Sequence, residues 1–219
     1  MSFLLEITEL IGTIAFAVSG AMLAVNKRLD IFGILFLGVV TALGGGTVRD
    51  LLLGHTPPRM FYNVSYILVA LLSALGVFFV VRLTHGQGVW SGTAADTLLT
   101  FSDALGLGIF SVIGTQAGIA DGFGDNAVLC IFLGMVTGVG GGVLRDMMCA
   151  DIPFVLRKHI YAVAALLGSG TYYVLNHLGV NSALASLLGM TATVVVRILA
   201  WHYRWNLPKA QTMEETKSI

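Results

Sequence analysis

The fold class this sequence predicts is an all-α polytopic membrane protein: seven transmembrane helices, arranged as a 3+3 inverted repeat plus one extra helix. Three observations carry that reading. The 219 residues are 56% hydrophobic and only 11% charged, whereas a soluble domain carries about 25% charged residues. Seven apolar stretches each approach the ~20 residues needed to cross a bilayer. The run Gly44-Gly45-Gly46-Thr47-Val48-Arg49-Asp50 returns 96 residues later as Gly140-Gly141-Gly142-Val143-Leu144-Arg145-Asp146.

The stretches fall at residues 4–25, 31–54, 60–83, 97–118, 127–149, 158–176 and 182–203. They form a single membrane domain over 1–206, with a polar cytoplasmic tail at 207–219. The segment Thr84 to Asp96, with Gly86, Gly88, Trp90 and Gly92, reads as an interfacial connection. The start, Met1 to Glu6, has no basic leader, so it reads as a retained first span and not as a signal peptide. Lys27, Arg28, Arg82, Arg157, Lys158, Arg204, Lys209 and Lys217 fall on one side of the membrane and Arg59 on the other. That bias places the N-terminus outside and the C-terminus in the cytoplasm of a cell whose inner membrane holds the chain. Trp201, Tyr203 and Trp205 fit an interfacial belt at the end of the seventh span.

Two copies of one unit account for the first six spans. At an offset of 96, Asp30–Gly38 aligns with Asn126–Gly134, Thr41 with Thr137, and Pro57 with Pro153. At an offset of 94, Phe16 aligns with Phe110, Gly20 with Gly114, Glu9 with Asp103 and Gly12 with Gly106. Repeat one is 4–83 and repeat two 97–176. Three spans per copy is an odd number, so the second copy lies upside down relative to the first. In transporters such an arrangement puts the working site near the midplane, where the repeats meet.

The chemistry concentrates around the glycine triplets. Three consecutive glycines cost a helix roughly 1 kcal/mol each relative to alanine, which predicts that spans two and five are interrupted there. An opened turn exposes carbonyls of Ala42 and Leu43, groups that membranes tolerate only against protein or a water-filled cavity. Carbonyls at the end of a half-helix favour a cation; amides at the start of the next, near Thr47 and Val48, favour an anion. The plainer alternative is that small residues let helices pack closely. Arg49–Asp50 and Arg145–Asp146 are ionisable pairs inside apolar segments, and such pairs mark functional sites by default. The orientation puts Glu9, Arg49 and Asp50 near the outer mouth, and Asp103, Arg145 and Asp146 near the inner one. That suits a pore with a polar constriction at each end. The plainer alternative is an arginine fork that pins a helix. Ser19, Thr41, Ser111, Thr115 and Thr137 offer pore oxygens or bond their own helix. Gly114/Gly118 and Ala185/Gly189 have helix-contact spacing.

These residues resemble the prokaryotic branch of the trimeric intracellular cation (TRIC) channel family, also labelled a glycine transporter family. The resemblance rests on the two Gly-Gly-Gly-x-x-Arg-Asp spans, on Phe16-x-x-Ser19-Gly20-Ala21, on Pro57 and Pro153, and on the 3+3+1 layout. It covers residues 4–205. It implies a homotrimer with one pore per subunit, passing potassium or other monovalent cations along spans 1, 2, 4 and 5, with spans 2 and 5 kinked at the glycines. The pathway residues it suggests are Gly44–Gly46, Thr47, Arg49, Asp50, Gly140–Gly142, Arg145, Asp146, Glu9, Asp103, Ser19 and Thr115. Animal members carry a lysine-containing motif in span five; here Gly142-Val143-Leu144-Arg145-Asp146 stands in its place. The runner-up function is secondary transport of glycine or another small zwitterion. Zero net charge argues against a nucleic-acid partner. No motif calls for an enzyme, a bound cofactor, a tightly held metal or an obligate protein partner beyond the trimer and its lipids. Permeant potassium or sodium is the only ion implied. Cys130 and Cys149, 19 residues apart on one span, would lie ~28 Å apart on a helix, beyond disulfide reach.

Overall fold

A computed structural model describes residues 3–85, 92–157 and 160–205. Eight α-helices follow in order: α1 (Phe3–Asn26), α2 (Ile31–Leu52), α3 (Ser65–Leu83), α4 (Gly92–Gly118), α5 (Ala127–Met148), α6 (Phe154–Arg157), α7 (Ala162–His177) and α8 (Ser182–His202). A 3-10 turn, Arg59–Phe61, precedes α3, and a π-helical turn, Ile119–Phe123, extends α4. The expected polar tail and Trp90 lie outside the described residues. Free thiols at Cys130 and Cys149 agree with the sequence reading.

Six of these helices are long and apolar enough to cross a membrane. The expected sixth span is the exception. Expected over 158–176, it is a helix of only 16 residues, α7, which is about 24 Å of helix. The chain before it is spent on α6 and on a turn that returns to cap the fifth span, so it cannot also lengthen α7. Large apolar side chains such as Phe32, Leu72, Val128 and Leu187 stay exposed; on membrane-spanning helices these faces meet lipid, not water.

The inverted repeat is visible as pairs of equivalent contacts. Asp30 caps α2 by accepting from Gly33 N at 2.8 Å, and Asn126 caps α5 by accepting from Leu129 N at 3.0 Å. A Cβ on Gly20 would overlap the Thr41 hydroxyl and Leu37 carbonyl; a Cβ on Gly114 would overlap the Thr137 hydroxyl and Leu133 carbonyl. Phe16 and Phe110 stack on each other with centroids 5.3 Å apart, as residues do when they face each other across a two-fold axis. Around that axis the helices run antiparallel. Gly45 meets Thr137 while Gly141 meets Thr41, and Gly12 meets Phe110 while Gly106 meets Phe16. Symmetry mates that pass antiparallel belong to an axis in the membrane plane, which is the inverted arrangement.

The glycine triplets do not interrupt their helices. α2 and α5 are α-helical without a break through Gly44–Gly46 and Gly140–Gly142. The expected bare carbonyls are therefore absent here, and close packing is the reading that holds. At the crossing of α2 and α5 the backbones touch: a Cβ on Gly140 would stand 3.1 Å from the Gly45 Cα. Packing of this closeness outweighs the glycine propensity cost.

Salt bridges tie loop to helix end on each side. Lys27 Nζ lies 2.6 Å from Asp151 Oδ1. At the equivalent place on the other side Asp121 meets His55 at 2.5 Å and Arg59 at 3.0 Å. The repeat offsets match Lys27 to Asp121 and Asp151 to His55, so the two ties are symmetry mates with the acid on the opposite partner. The Lys27 and Asp151 side chains are about a third exposed (37% and 32%). Lys27→Ala is accordingly expected to lower stability by less than about 1 kcal/mol, measured by thermal unfolding in detergent.

Candidate functional site

The two Arg-Asp pairs share one local design. Arg49 donates from Nε to Asp50 Oδ1 at 2.9 Å, and Arg145 Nε does the same to Asp146 Oδ1 at 2.9 Å. The other carboxylate oxygen pins the loop beyond the helix. Asp146 Oδ2 accepts from the Phe154 amide at 2.8 Å, and Asp50 Oδ2 from the Arg59 amide at 2.8 Å. By offset, Phe154 corresponds to Pro58, which has no N–H. The bond in repeat one therefore comes from the next residue. The aspartates thus terminate their helices and aim their arginines.

Beyond this the halves diverge. In repeat one a cavity of about 380 Å³ opens between the helix ends. Glu6, Glu9, Arg49, Asp50, Arg59 and Tyr66 supply its charged and phenolic groups. Thr47 and Gly46 border it as well, with the Thr47 hydroxyl donated to Leu43 O at 2.9 Å. Glu9 accepts from Tyr66 OH at 2.8 Å. Among the described residues Arg49 hydrogen-bonds only Asp50.

In repeat two the same positions are sealed. Arg145, Asp103 and Asp146 are 0%, 0% and 1% exposed. Arg145 Nη1 donates to Asp103 Oδ1 at 2.8 Å and to Ser19 Oγ at 2.6 Å. Its guanidinium also lies over the Phe154 ring, 5.0 Å from the centroid. Two side-chain differences explain the divergence. The residue equivalent to Ser19 is Ile113, which lines the open cavity and offers Arg49 no acceptor. The residue equivalent to Asp103 is Glu9, one methylene longer and engaged by Tyr66.

Each candidate residue can now be located. Glu9, Arg49, Asp50, Gly46 and Thr47 gather at the open cavity; Ser19, Asp103, Arg145 and Asp146 gather at the sealed cluster. Gly44, Gly45, Gly140 and Gly141 stand at the crossing between them, and Gly142 sits under the Tyr161 hydroxyl. Thr115 belongs to neither. It is fully buried, donates to Ser111 O at 3.0 Å, and packs against Gly134, so it has the bland role that helix hydroxyls usually have. Thr41, Ser111 and Thr137 likewise bond their own helices, to Leu37, Leu107 and Leu133.

Three residues at these sites carry no role in the sequence reading, Tyr66, Tyr161 and Arg197, and Arg59 enters it only as a marker of orientation. The tyrosines are repeat equivalents at an offset of 95, a signal that was available. Arg197 is an arginine inside an apolar span, which the rule applied to Arg49 also covers. It is 2% exposed, and its Cζ lies 5.1 Å from the Tyr161 ring centroid. Among the described residues there is no metal-binding cluster of His, Cys, Asp or Glu.

Comparison with known proteins matches the two repeats separately. The sequence profile of a family described as "Glycine transporter" matches residues 6–82 and again residues 100–177. The chain belongs to this family. Among curated proteins, it is 36% identical over 204 residues to the UPF0126 inner membrane protein YadS of Escherichia coli K12, covering 91% of this chain and 93% of YadS. It is 38% identical over 204 residues to the UPF0126 membrane protein YvgT of Bacillus subtilis, covering 93% and 95%. Solved structures agree in fold. The TRIC orthologue from Rhodobacter sphaeroides superposes with a TM-score of 0.84 at 32% identity, covering 93% of this chain and 100% of that one. A TRIC cation channel structure bearing on conductance gives 0.82 at 36% identity, covering 97% and 98%. The curated relatives of this chain are named as membrane proteins.

Proposed function

We propose that the protein is a monovalent-cation channel of the inner membrane, permeable to potassium, working as a homotrimer with one pore in each subunit. One observation carries the reading: a carboxylate-lined cavity stands between inverted repeats in a fold shared, at 32% identity and a TM-score of 0.84, with a solved TRIC cation channel. The path runs from the open cavity, past the Gly44–Gly46 and Gly140–Gly142 crossing, to the cluster of Ser19, Asp103, Arg145 and Asp146. The N-terminus faces outward and the C-terminus the cytoplasm. The cavity is thus the outer vestibule and the sealed cluster a closed inner gate.

Charge favours cations at the vestibule. Glu6, Glu9 and Asp50 face Arg49 and Arg59 there, an excess of one acid. Carboxylates lining a narrow passage select cations, and loose coordination lets a potassium ion leave again. The gate is balanced: Asp103 and Asp146 against Arg145 and Arg197. Selectivity therefore resides in the outer acids, and Asp103 acts in closure.

Reversal potentials under a potassium chloride gradient test this. Glu9→Gln is expected to lower the cation-over-anion permeability ratio severalfold, since a unit charge about 10 Å from the path is worth on the order of 1 kcal/mol at an effective dielectric of about 20. A variant indistinguishable from wild type overturns the charge argument. Saturable glycine uptake without any potassium current makes the zwitterion transporter the correct reading. The family's description and the coexistence of one open and one sealed half are the grounds for running that arm.

A further inference from the structure

Arg197 raises a physical problem. It is buried on α8 near the cytoplasmic end, yet its Nε and Nη2 have no hydrogen-bond partner among the described residues. Its only described attachment is the face of Tyr161. A buried cation so weakly engaged is costly, and α8 has no counterpart in either repeat, so symmetry does not explain it.

Its neighbours supply the explanation. Three other buried atoms in the same region make no well-formed hydrogen bond, Asp103 Oδ2, Arg145 Nη2 and the Tyr161 hydroxyl, although the Tyr161 and Asp103 side chains lie close enough to interact. The Tyr161 hydroxyl and Asp103 Oδ1 both face Gly142, 2.9 and 3.8 Å from where a Cβ would stand. Phe154 meets Tyr161 edge to face with centroids 6.5 Å apart, and each ring carries one arginine, Arg145 on Phe154 and Arg197 on Tyr161. One guanidinium, that of Arg145, thus holds the Asp103 carboxylate, and a second, that of Arg197, sits on the ring whose hydroxyl lies beside that carboxylate. Arg145 holds Asp103 in the sealed form. Opening the inner mouth requires Arg145 to leave Ser19 and Asp103, and Asp103 would then stand buried and unpaired. That penalty would keep the gate shut.

We infer that Arg197 is the reserve counter-ion of the inner gate: it takes over Asp103 when Arg145 swings away, with Tyr161 as the hinge between the two states. The exchange conserves charge, since one Arg–Asp pair is broken and one is formed. Arg197 never lines the path; it positions the gate by making the open form affordable in charge. This rests on reading the sealed cluster as a gate in the proposed channel.

The test measures gate opening without relying on current. Cys130→Ala and Cys149→Ala remove the native thiols, and Ser19→Cys places a near-isosteric thiol at the gate. A membrane-impermeant thiol reagent is applied from the cytoplasmic side of oriented vesicles. Relative to this background, Arg197→Met is expected to slow labelling at least tenfold, and Arg197→Lys to slow it less. Asp103→Asn alone is expected to speed labelling, because opening no longer strands a charge, and Arg197→Met with Asp103→Asn should label as fast as Asp103→Asn. In parallel bilayer recordings Arg197→Met should lower open probability while leaving unitary conductance unchanged. Labelling of Arg197→Met within twofold of the background overturns the inference, as does slowing that Asp103→Asn fails to relieve. Should Arg197→Met not assemble, Arg197→Lys and Asp103→Asn decide by the same criteria: no slowing in the first and no speeding in the second refutes it. Absence of current with the full labelling pattern would instead reject the channel reading and leave the counter-ion exchange standing.

Discussion

Gly45→Ala and Gly141→Ala are expected to prevent assembly of the native helix bundle. At each position a Cβ would overlap a backbone carbonyl of the facing helix, Thr137 for Gly45 and Thr41 for Gly141. A side chain can rotate away from an added methyl; a carbonyl within a continuous helix cannot, so α2 and α5 must separate along the whole crossing. Overpacking a yielding core costs about 1–3 kcal/mol, and this unyielding contact is expected at or above the top of that range. Because the two sites are symmetry mates, their effects should match closely. Gly76→Ala is the control: nothing lies within 4 Å of its added Cβ in the protomer, and the gain in helix propensity is up to about 1 kcal/mol. Thermal unfolding and the yield of folded protein in detergent measure all three. A Gly45→Ala protein as stable as wild type would show that the crossing yields far more than its backbone contact implies.

Arg145→Met should be the most damaging change to a polar residue. Removing the guanidinium strips Asp103 Oδ1 of its Arg145 partner and leaves Asp146 Oδ1 without its 2.9 Å donor, both in fully buried surroundings. Breaking a buried ion pair from one side costs about 3–5 kcal/mol. Arg49→Met removes the symmetry-equivalent group but should cost less, on the order of 1–3 kcal/mol. Asp50 keeps the Arg59 amide just as Asp146 keeps that of Phe154, but Arg49 and Asp50 border the open cavity and Arg49 holds no second carboxylate among the described residues. The comparison isolates the environment, because the two arginines make the same bond to the following aspartate. Denaturation midpoints of Arg145→Met, Arg49→Met and Arg145→Met with Asp103→Leu measure it. The double variant should recover part of the loss, since it no longer buries Asp103 unpaired. Equal losses for Arg49 and Arg145 would contradict the description of one half as open and the other as sealed.

Several features were legible because they are local or repeated. Apolar length located six of the seven expected spans, and the offsets of 94 and 96 located the duplication. An odd span count forced the inversion, which in turn separated Glu9, Arg49 and Asp50 from Asp103, Arg145 and Asp146. Each of those inferences needs only composition, spacing and the requirement that backbone polar groups be satisfied in lipid. The glycine triplets were read less well. Propensity argues for a broken helix, but propensity is a local term, and the close approach of α2 and α5 is a tertiary one that exceeds it.

By itself, then, the sequence determined the class, the duplication, the inversion and the two groups of residues that gather apart from each other. Only the tertiary structure decided that Gly45 and Gly141 are contact points between unbroken helices, because a missing Cβ means nothing until the facing carbonyl is known. It alone decided which half borders a cavity and which is buried. Ser19 reaches Arg145 from the other repeat, 126 positions away in the chain, whereas Ile113 stands at the matching place opposite Arg49. It alone brought Arg197 from the unpaired last span to the Tyr161 ring beside Asp103. Such contacts depend on where helices cross, and that is set by the packing of the whole bundle rather than by any segment of it.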